Sequence, residues 1–382
     1  MTQAAAQAEG SGAPGRWIVS RRVDLAIFLT PLVLATLTLP LYGHVRGGDI
    51  PLAVFVFVII AFDVAHVWAT IYRVYLDPVE LRRRPVLYLA SVPLFFVAAF
   101  RLHSYSATAF WTVLAYVAIF HFIKQLYGFV AIYRLRAGER APFDYHLDKI
   151  AVWVGALGPV LWWHASPRRQ FDWFNAGESF LVRLPPEIIS DLTVVYGSVA
   201  LVYVGRQLQV FVARRHFNAG KNLLMSATWL TWAVGIRMAD SPIVSAAFLN
   251  LIHGIPFLVL VWLYCHRKWH GPASAAASAS GARAIRWLSA RSHVWAFYLL
   301  VFGLALLEEG LWDGLVWQHY LPTDLGVALP ELSAPVTSLA VATLSLPQIL
   351  HYFLDAFIWR FDGSNPNLRE LVLGPPAPRP AA

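Results

Sequence analysis

Four histidines stand inside long apolar runs: His66 in FDVAHVWATIYR, His121 in IFHFIKQLYG, His253 in LNLIHGIPF and His351 in LPQILHYFLDAFIWR. The other nine of the 13 histidines fall in loops or near expected helix ends, where water or lipid headgroups satisfy them. An ionisable side chain inside an apolar run is costly, so it normally faces a protein interior and marks a site or a pathway. Neutral imidazole is the commonest protein ligand for iron, zinc and copper. The single cysteine, Cys265, excludes internal disulfides and thiolate-rich clusters, so any metal must rest on histidine, carboxylate or amide.

Each histidine has a polar companion three or four residues away on its own helical stripe: Asp63 before His66, Lys124 after His121, Asn250 before His253 and Asp355 after His351. Two metal arrangements follow. In one, the four histidines hold a mononuclear centre while Asp63 and Asp355 accept from ring N–H groups and orient the ligands. In the other, histidines and carboxylates together bind two metals, as in diiron helix bundles. A haem held by two axial histidines is a third option, but it leaves the carboxylates and Lys124 without a task. In the metal readings Lys124 is an electrostatic or proton-transfer partner and joins Asp63 and Asp355 in the catalytic set. The plainer alternative is a layer of interhelical hydrogen bonds that fastens a bundle.

A second pattern ends three of these runs: Tyr72-Arg73, Tyr133-Arg134 and Trp359-Arg360. Interfacial anchoring, with the aromatic ring at the headgroups and the arginine snorkelling, accounts for such pairs. The functional reading is a vestibule in which Arg73, Arg134 and Arg360 bind an anionic headgroup or substrate, with Asn250 and Tyr127 as further substrate contacts. Glu308 and Glu309, inside another apolar run, are candidates for a proton or cation site. Trp162, Trp163 and His164 read as an aromatic belt. The chain has no phosphate-cradling glycine loop, Ser-His-Asp order or HExxH run.

The elements that must carry these residues are membrane helices. Hydrophobic content of 58% and a mean hydropathy of +0.55 are membrane composition. Runs long enough to cross about 30 Å of hydrocarbon lie near 23–43, 51–75, 86–101, 106–133, 147–164, 188–213, 222–238, 242–266, 293–317 and 336–361. The expected fold is therefore all-α, a polytopic bundle of about ten spans. Loop charge sets its orientation. With both termini in the cytoplasm, 23 of the 30 basic residues lie inside, six (Arg46, Arg101, Arg168, Arg169, Arg183, Arg237) lie outside, and Lys124 lies within a span. A net charge of +8 thus reflects membrane orientation rather than nucleic-acid binding, because the basic residues are spread through short loops. Counted from the outer span ends, the four histidines lie about 15, 15, 11 and 15 residues in, a spread of about 6 Å. They form one layer near the midplane.

Residues 1–22 read as a cytoplasmic segment leading into an uncleaved signal anchor, residues 23–361 as one transmembrane domain, and 362–382 as a cytoplasmic tail. Residues 271–284 are a flexible cytoplasmic loop rich in small residues. Residues 165–187, with Phe171, Trp173, Phe174 and Phe180, read as an outer segment lying on the headgroups. The tail from Gly374 is low in complexity and expected to be disordered.

The DxxH at Asp63–His66, the HxxKQxYG from His121 to Gly128 and the HYxLDxxIWR from His351 to Arg360 resemble motifs of a group of uncharacterised bacterial polytopic membrane proteins. A more distant similarity, in residue type rather than motif, is to the Brp/Blh-type bacterial β-carotene-cleaving membrane dioxygenases. That similarity implies iron held by histidines on transmembrane helices. The paired adjacent histidines of membrane fatty-acid desaturases are missing. The function expected is a non-haem metal-dependent enzyme, iron favoured over zinc, that acts on a lipid or isoprenoid arriving laterally within the bacterial inner membrane. A proton-coupled carrier using the same layer and a structural or haem-binding membrane protein are the alternatives.

Overall fold

The computed structural model describes residues 17–40, 50–166, 183–238, 242–271, 281–326, 329 and 331–374. Every regular element among them is helical. The headgroup segment with Phe171, Trp173, Phe174 and Phe180, most of the 271–284 loop and the tail beyond Gly374 lie outside the described residues.

Ten helical segments coincide with the expected runs. They are α1 (Arg21–Thr36), α2 (Leu52–Arg73), α3 (Pro85–Tyr105), α4 (Ala107–Arg136), α5 (Pro142–Ala165), α6 (Ile189–Arg214), α7 (Ala219–Trp232), α8 (Pro242–His270), α9 (Arg291–Trp317) and α10 (Ala334–Ile358). Their starts are marked by side chains that satisfy free amides. Ser20 accepts from Val23, Ser106 from Ala109 and Asn218 from Lys221, while Pro85 and Pro142 sit in first turns where no amide is needed.

Seven of these helices, α2, α3, α4, α6, α8, α9 and α10, are long and apolar enough to cross a membrane. The other three are shorter or more charged. In α5 the charges are matched by the bundle: Asp144 accepts from Arg206 of α6 at 2.7 Å, and Asp148 faces Lys221 of α7 at 3.3 Å. Lys221 also donates to Glu139 at 2.6 Å. Such pairing allows charged groups to sit in an otherwise apolar assembly.

Burial identifies the centre. Of the apolar window of each helix, 72% is buried for α8 and 56% for α4, against 6% for α6 and 17% for α3. The two most buried are helices that carry a candidate histidine. α2 and α10 pack against them, and the four surround one layer. α2 is not a plain α-helix: Phe55–Val64 winds in wide π-helical turns before α-helical geometry resumes at Ala65, a distortion frequent at functional sites. α10 breaks at Ser345, whose hydroxyl donates to the Val341 carbonyl, and restarts with Pro347 in its first turn. Beyond α10, residues up to Gly374 fold back onto the bundle. The short helix Leu368–Leu373 buries Leu368, Leu371 and Val372, and its last carbonyls receive Arg136 and Arg267.

Candidate metal centre

His66 follows the π-helical stretch of α2, His121 lies mid-way along α4, His253 at the middle of α8 and His351 one turn after Pro347 of α10. All four are buried, at 1%, 6%, 1% and 0% exposure. The rings form a closed cycle: centroids lie 4.5 Å apart for His66 and His253, 5.1 Å for His253 and His121, 4.6 Å for His121 and His351, and 4.9 Å for His351 and His66. One ring nitrogen from each lies within 4.8 Å of those of the other three. Every Nε2 of the set is buried without a hydrogen-bond partner.

The close approach has a local cause in Gly254. A Cβ built there would lie 2.3 Å from the Phe62 carbonyl oxygen and 3.3 Å from His66 Nδ1. Only glycine lets α8 meet α2 at this depth, and the contact falls beside His253 and His66 at once. Phe122 stacks on the His253 ring, centroids 3.8 Å apart. Phe257 presents its edge to both His66 and His351, and Tyr352 lies against His121.

One polar neighbour hydrogen-bonds a ring, and two carboxylates lie just beyond that range. Thr70 Oγ1 is 2.7 Å from His351 Nδ1. Asp63 Oδ1 lies 3.6 Å from His66 Nδ1. Asp355 lies beside two of the histidines, with Oδ1 3.8 Å from His351 Nδ1 and Oδ2 4.0 Å from His121 Nε2. Gln125 donates to the His253 carbonyl at 2.8 Å. A buried polar atom left unpaired is costly and rare in folded proteins. Four such nitrogens converging on one point fit a cation: imidazole lone pairs would replace its water, with carboxylates close enough to orient or join the donors.

Four expectations about neighbouring residues need correction. Lys124 does not enter the layer. Its side chain is exposed, whereas Gln125, one position further on, turns inward. On a helix the fourth residue after His121 lies nearer its face than the third, and an amide is cheaper to bury than an ammonium. The arginine vestibule does not form, because Arg73, Arg134 and Arg360 diverge. Arg73 is 1% exposed and lies 3.0 Å from Glu80. Arg134 lies over the Tyr145 ring of α5 at 4.4 Å, and Arg360 is exposed and folds back to the Ala356 carbonyl. Tyr127 also turns toward Tyr145, where Arg134 lies as well, and so shares no pocket with Arg73 or Arg360. The tyrosines are no interfacial anchors either: Tyr72 donates to the Phe297 carbonyl at 2.5 Å and Tyr133 to Asp24 at 2.7 Å, both buried.

Asn250 is half-buried one turn before His253. Glu308 accepts from Trp68 at 2.6 Å and from Trp312 at 3.4 Å, which ties α9 to α2. His164 bonds with Tyr116 at 2.8 Å. Thr70, Gln125, Gly254 and Phe257 are the neighbours that sequence reasoning passed over. Thr70 and Gln125 did have a signal, since each lies four residues after a histidine on the same helical stripe.

Comparison with protein-family models, with curated proteins and with solved structures finds no match to this chain.

Proposed function

We propose that this chain is a ten-span membrane metalloprotein with both termini in the cytoplasm, in which His66, His121, His253 and His351 hold one metal ion within the bilayer. The observation that carries the reading is the convergence of four buried, unpartnered imidazole nitrogens within 4.8 Å. Asp63 and Asp355 stand 3.6–4.0 Å from ring nitrogens, near enough to orient the histidines once a metal is held, and Thr70 already bonds His351. The geometry favours a bare ion over haem. The four rings stand 4.5–5.1 Å apart in a closed cycle, which leaves no room for a macrocycle among them.

Iron is preferred to zinc, and the reaction class is oxidation or oxygenation of a lipid or isoprenoid that enters from the membrane. When bound, such a metal supplies a Lewis acid and a redox centre. The chain's own part is to hold the imidazoles neutral, to exclude water with Phe122, Phe257 and Tyr352, and to keep carboxylates beside two ligands. α1, α5 and α7 complete the ten spans, with the ion pairs of Asp144 and Asp148 offsetting the charge on α5.

The test is metal content of detergent-purified protein after expression with iron and zinc supplied. Wild type is expected to carry one metal per chain. His121→Gln keeps hydrogen bonding but replaces imidazole with a poor ligand, so it should insert normally and lose metal. An Asn175→Ala control should retain it. Interhelical hydrogen bonds in membranes average only roughly 0.6 kcal/mol, so a purely structural layer would tolerate the glutamine. Metal-free wild type, or full retention in His121→Gln, would overturn the reading.

A further inference from the structure

Arg73, in the last turn of α2, is buried to 1% exposure, and its contacts show what it does there. It joins three of the histidine helices. It belongs to α2, Nη2 donates to the Ile358 carbonyl of α10 at 3.1 Å, and Cζ lies 4.4 Å over the Tyr264 ring of α8. The Trp359 ring of α10 is 5.8 Å away. Glu80, on the short helix Pro78–Arg83, meets Nη1 at 3.0 Å.

The spacing matters more than the contacts. Arg73 follows His66 by seven residues, Ile358 follows His351 by seven, and Tyr264 follows His253 by eleven. At about 3.6 residues per turn these offsets are close to two, two and three whole turns, so each contact lies on the same helix face as its histidine. Side chains on a helix lean toward its N-terminus, which brings the Tyr264 ring back toward the level of Arg73. A slide of α10 against α2 by one residue would move His351 about 1.5 Å in depth and would break the Arg73 to Ile358 bond at the same time. Thr70, one turn nearer the site, reports the same register through His351 Nδ1.

We propose that Arg73 is a positioning residue: held by Glu80, it locks the register of α2, α8 and α10 so that three of the four histidines stay at one depth. The proposal rests on the metal reading of the histidine cluster. Glu80 is also bonded by Arg83, with Nε 3.2 Å away, and by Tyr88. Arg83 does not share the offsets and has no direct bond to α2, α8 or α10, its other partners being Ser364 and Asn365 beyond the end of α10, so it separates a general stabilising ion pair from a register lock.

The experiment uses full-length protein in detergent and Co²⁺ as the spectroscopic probe. Arg73→Met alone leaves Glu80 with a reduced partner set and threatens folding, so the informative variant is Arg73→Met with Glu80→Gln, which removes both charges together. It should remain folded, bind Co²⁺ about 10–100-fold more weakly, and show a shifted visible band. Arg83→Met should keep the wild-type affinity and band, and Arg73→Lys, which reaches Glu80 but not Ile358 as well, should fall between. A wild-type band and affinity in the double variant would overturn the lock. The sole cysteine supplies a readout that needs no metal, since Cys265 is buried with Sγ 3.9 Å from the Tyr72 carbonyl. Labelling of metal-free protein by a thiol reagent should quicken in the double variant and not in Arg83→Met. If wild type binds no Co²⁺, the metal reading fails, and the labelling rates alone then decide the lock: equal rates overturn it.

Discussion

Inside a bundle, an imidazole nitrogen without a partner has no water to turn to, and four of them at one point repel any arrangement except one that supplies a cation or protons. Neutral histidine suits the first. Asp355 lies beside both His121 and His351, and on the proposed metal reading Asp355→Asn should weaken metal binding about 10–100-fold while leaving insertion intact; metal titration of the purified variant checks this. A different residue governs acid behaviour at the Arg73 end. Burial pushes the Glu80 carboxyl up, yet the Arg73 charge and the hydrogen bonds from Arg83 and Tyr88 outweigh it and hold Glu80 at about 2, from an ordinary 4.5. A depressed carboxyl stabilises the fold fully above its unfolded value and loses that contribution as pH falls through the folded one. Glu80→Gln should therefore show a constant stability deficit from about pH 8 to about pH 5, which closes as pH drops toward about 2. Thermal unfolding in detergent across that range measures it, and a deficit that closes near neutral pH would contradict the pairing. Asp63, Asp355 and the histidines were legible from spacing alone. Lys124 was misleading, because a one-residue difference in helical phase and the cost of burying an ammonium put Gln125 in its place.

At the scale of elements, the site depends on irregular helices. The π-helical turns of Phe55–Val64, the break at Ser345 and the glycine at 254 each change how near two helix axes come. Gly254→Ala adds one methyl against a backbone carbonyl that has no flexible end to move. Overpacking of this kind typically costs about 1–3 kcal/mol, and here the relief is to push α8 from α2, parting His253 from His66. The variant should lose metal affinity out of proportion to its loss of thermal stability, whereas Gly303→Ala, where a Cβ meets nothing within 4 Å, should change neither. Equal effects of the two substitutions would refute the role given to Gly254. Long apolar runs revealed where helices lie, but their hydropathy is silent on π turns, which arise from packing between neighbours.

For the molecule as a whole, orientation is the property open to direct test. Reporter fusions at Glu80, Arg140, Ala275 and the C-terminus should be cytoplasmic, and those at Asn175 and Leu325 external, as loop charge requires. An external C-terminus would contradict the proposed ten spans, since an even number returns the chain to its starting side. The all-helical architecture, the positions of ten helical segments and the common layer of four histidines were all determined by the sequence, because crossing hydrocarbon demands long apolar helices and expels any ionisable group that is not buried within the bundle. Tertiary structure alone decided which polar groups share a point. The burial of Arg73 against Glu80, the dispersal of Arg134 and Arg360, the choice of Gln125 over Lys124 and the return of Leu368–Leu373 onto the bundle depend on how helices far apart in the chain meet. Hydropathy and spacing describe one helix at a time, whereas these contacts are set by the distance and rotation between pairs of helices, which no single segment encodes.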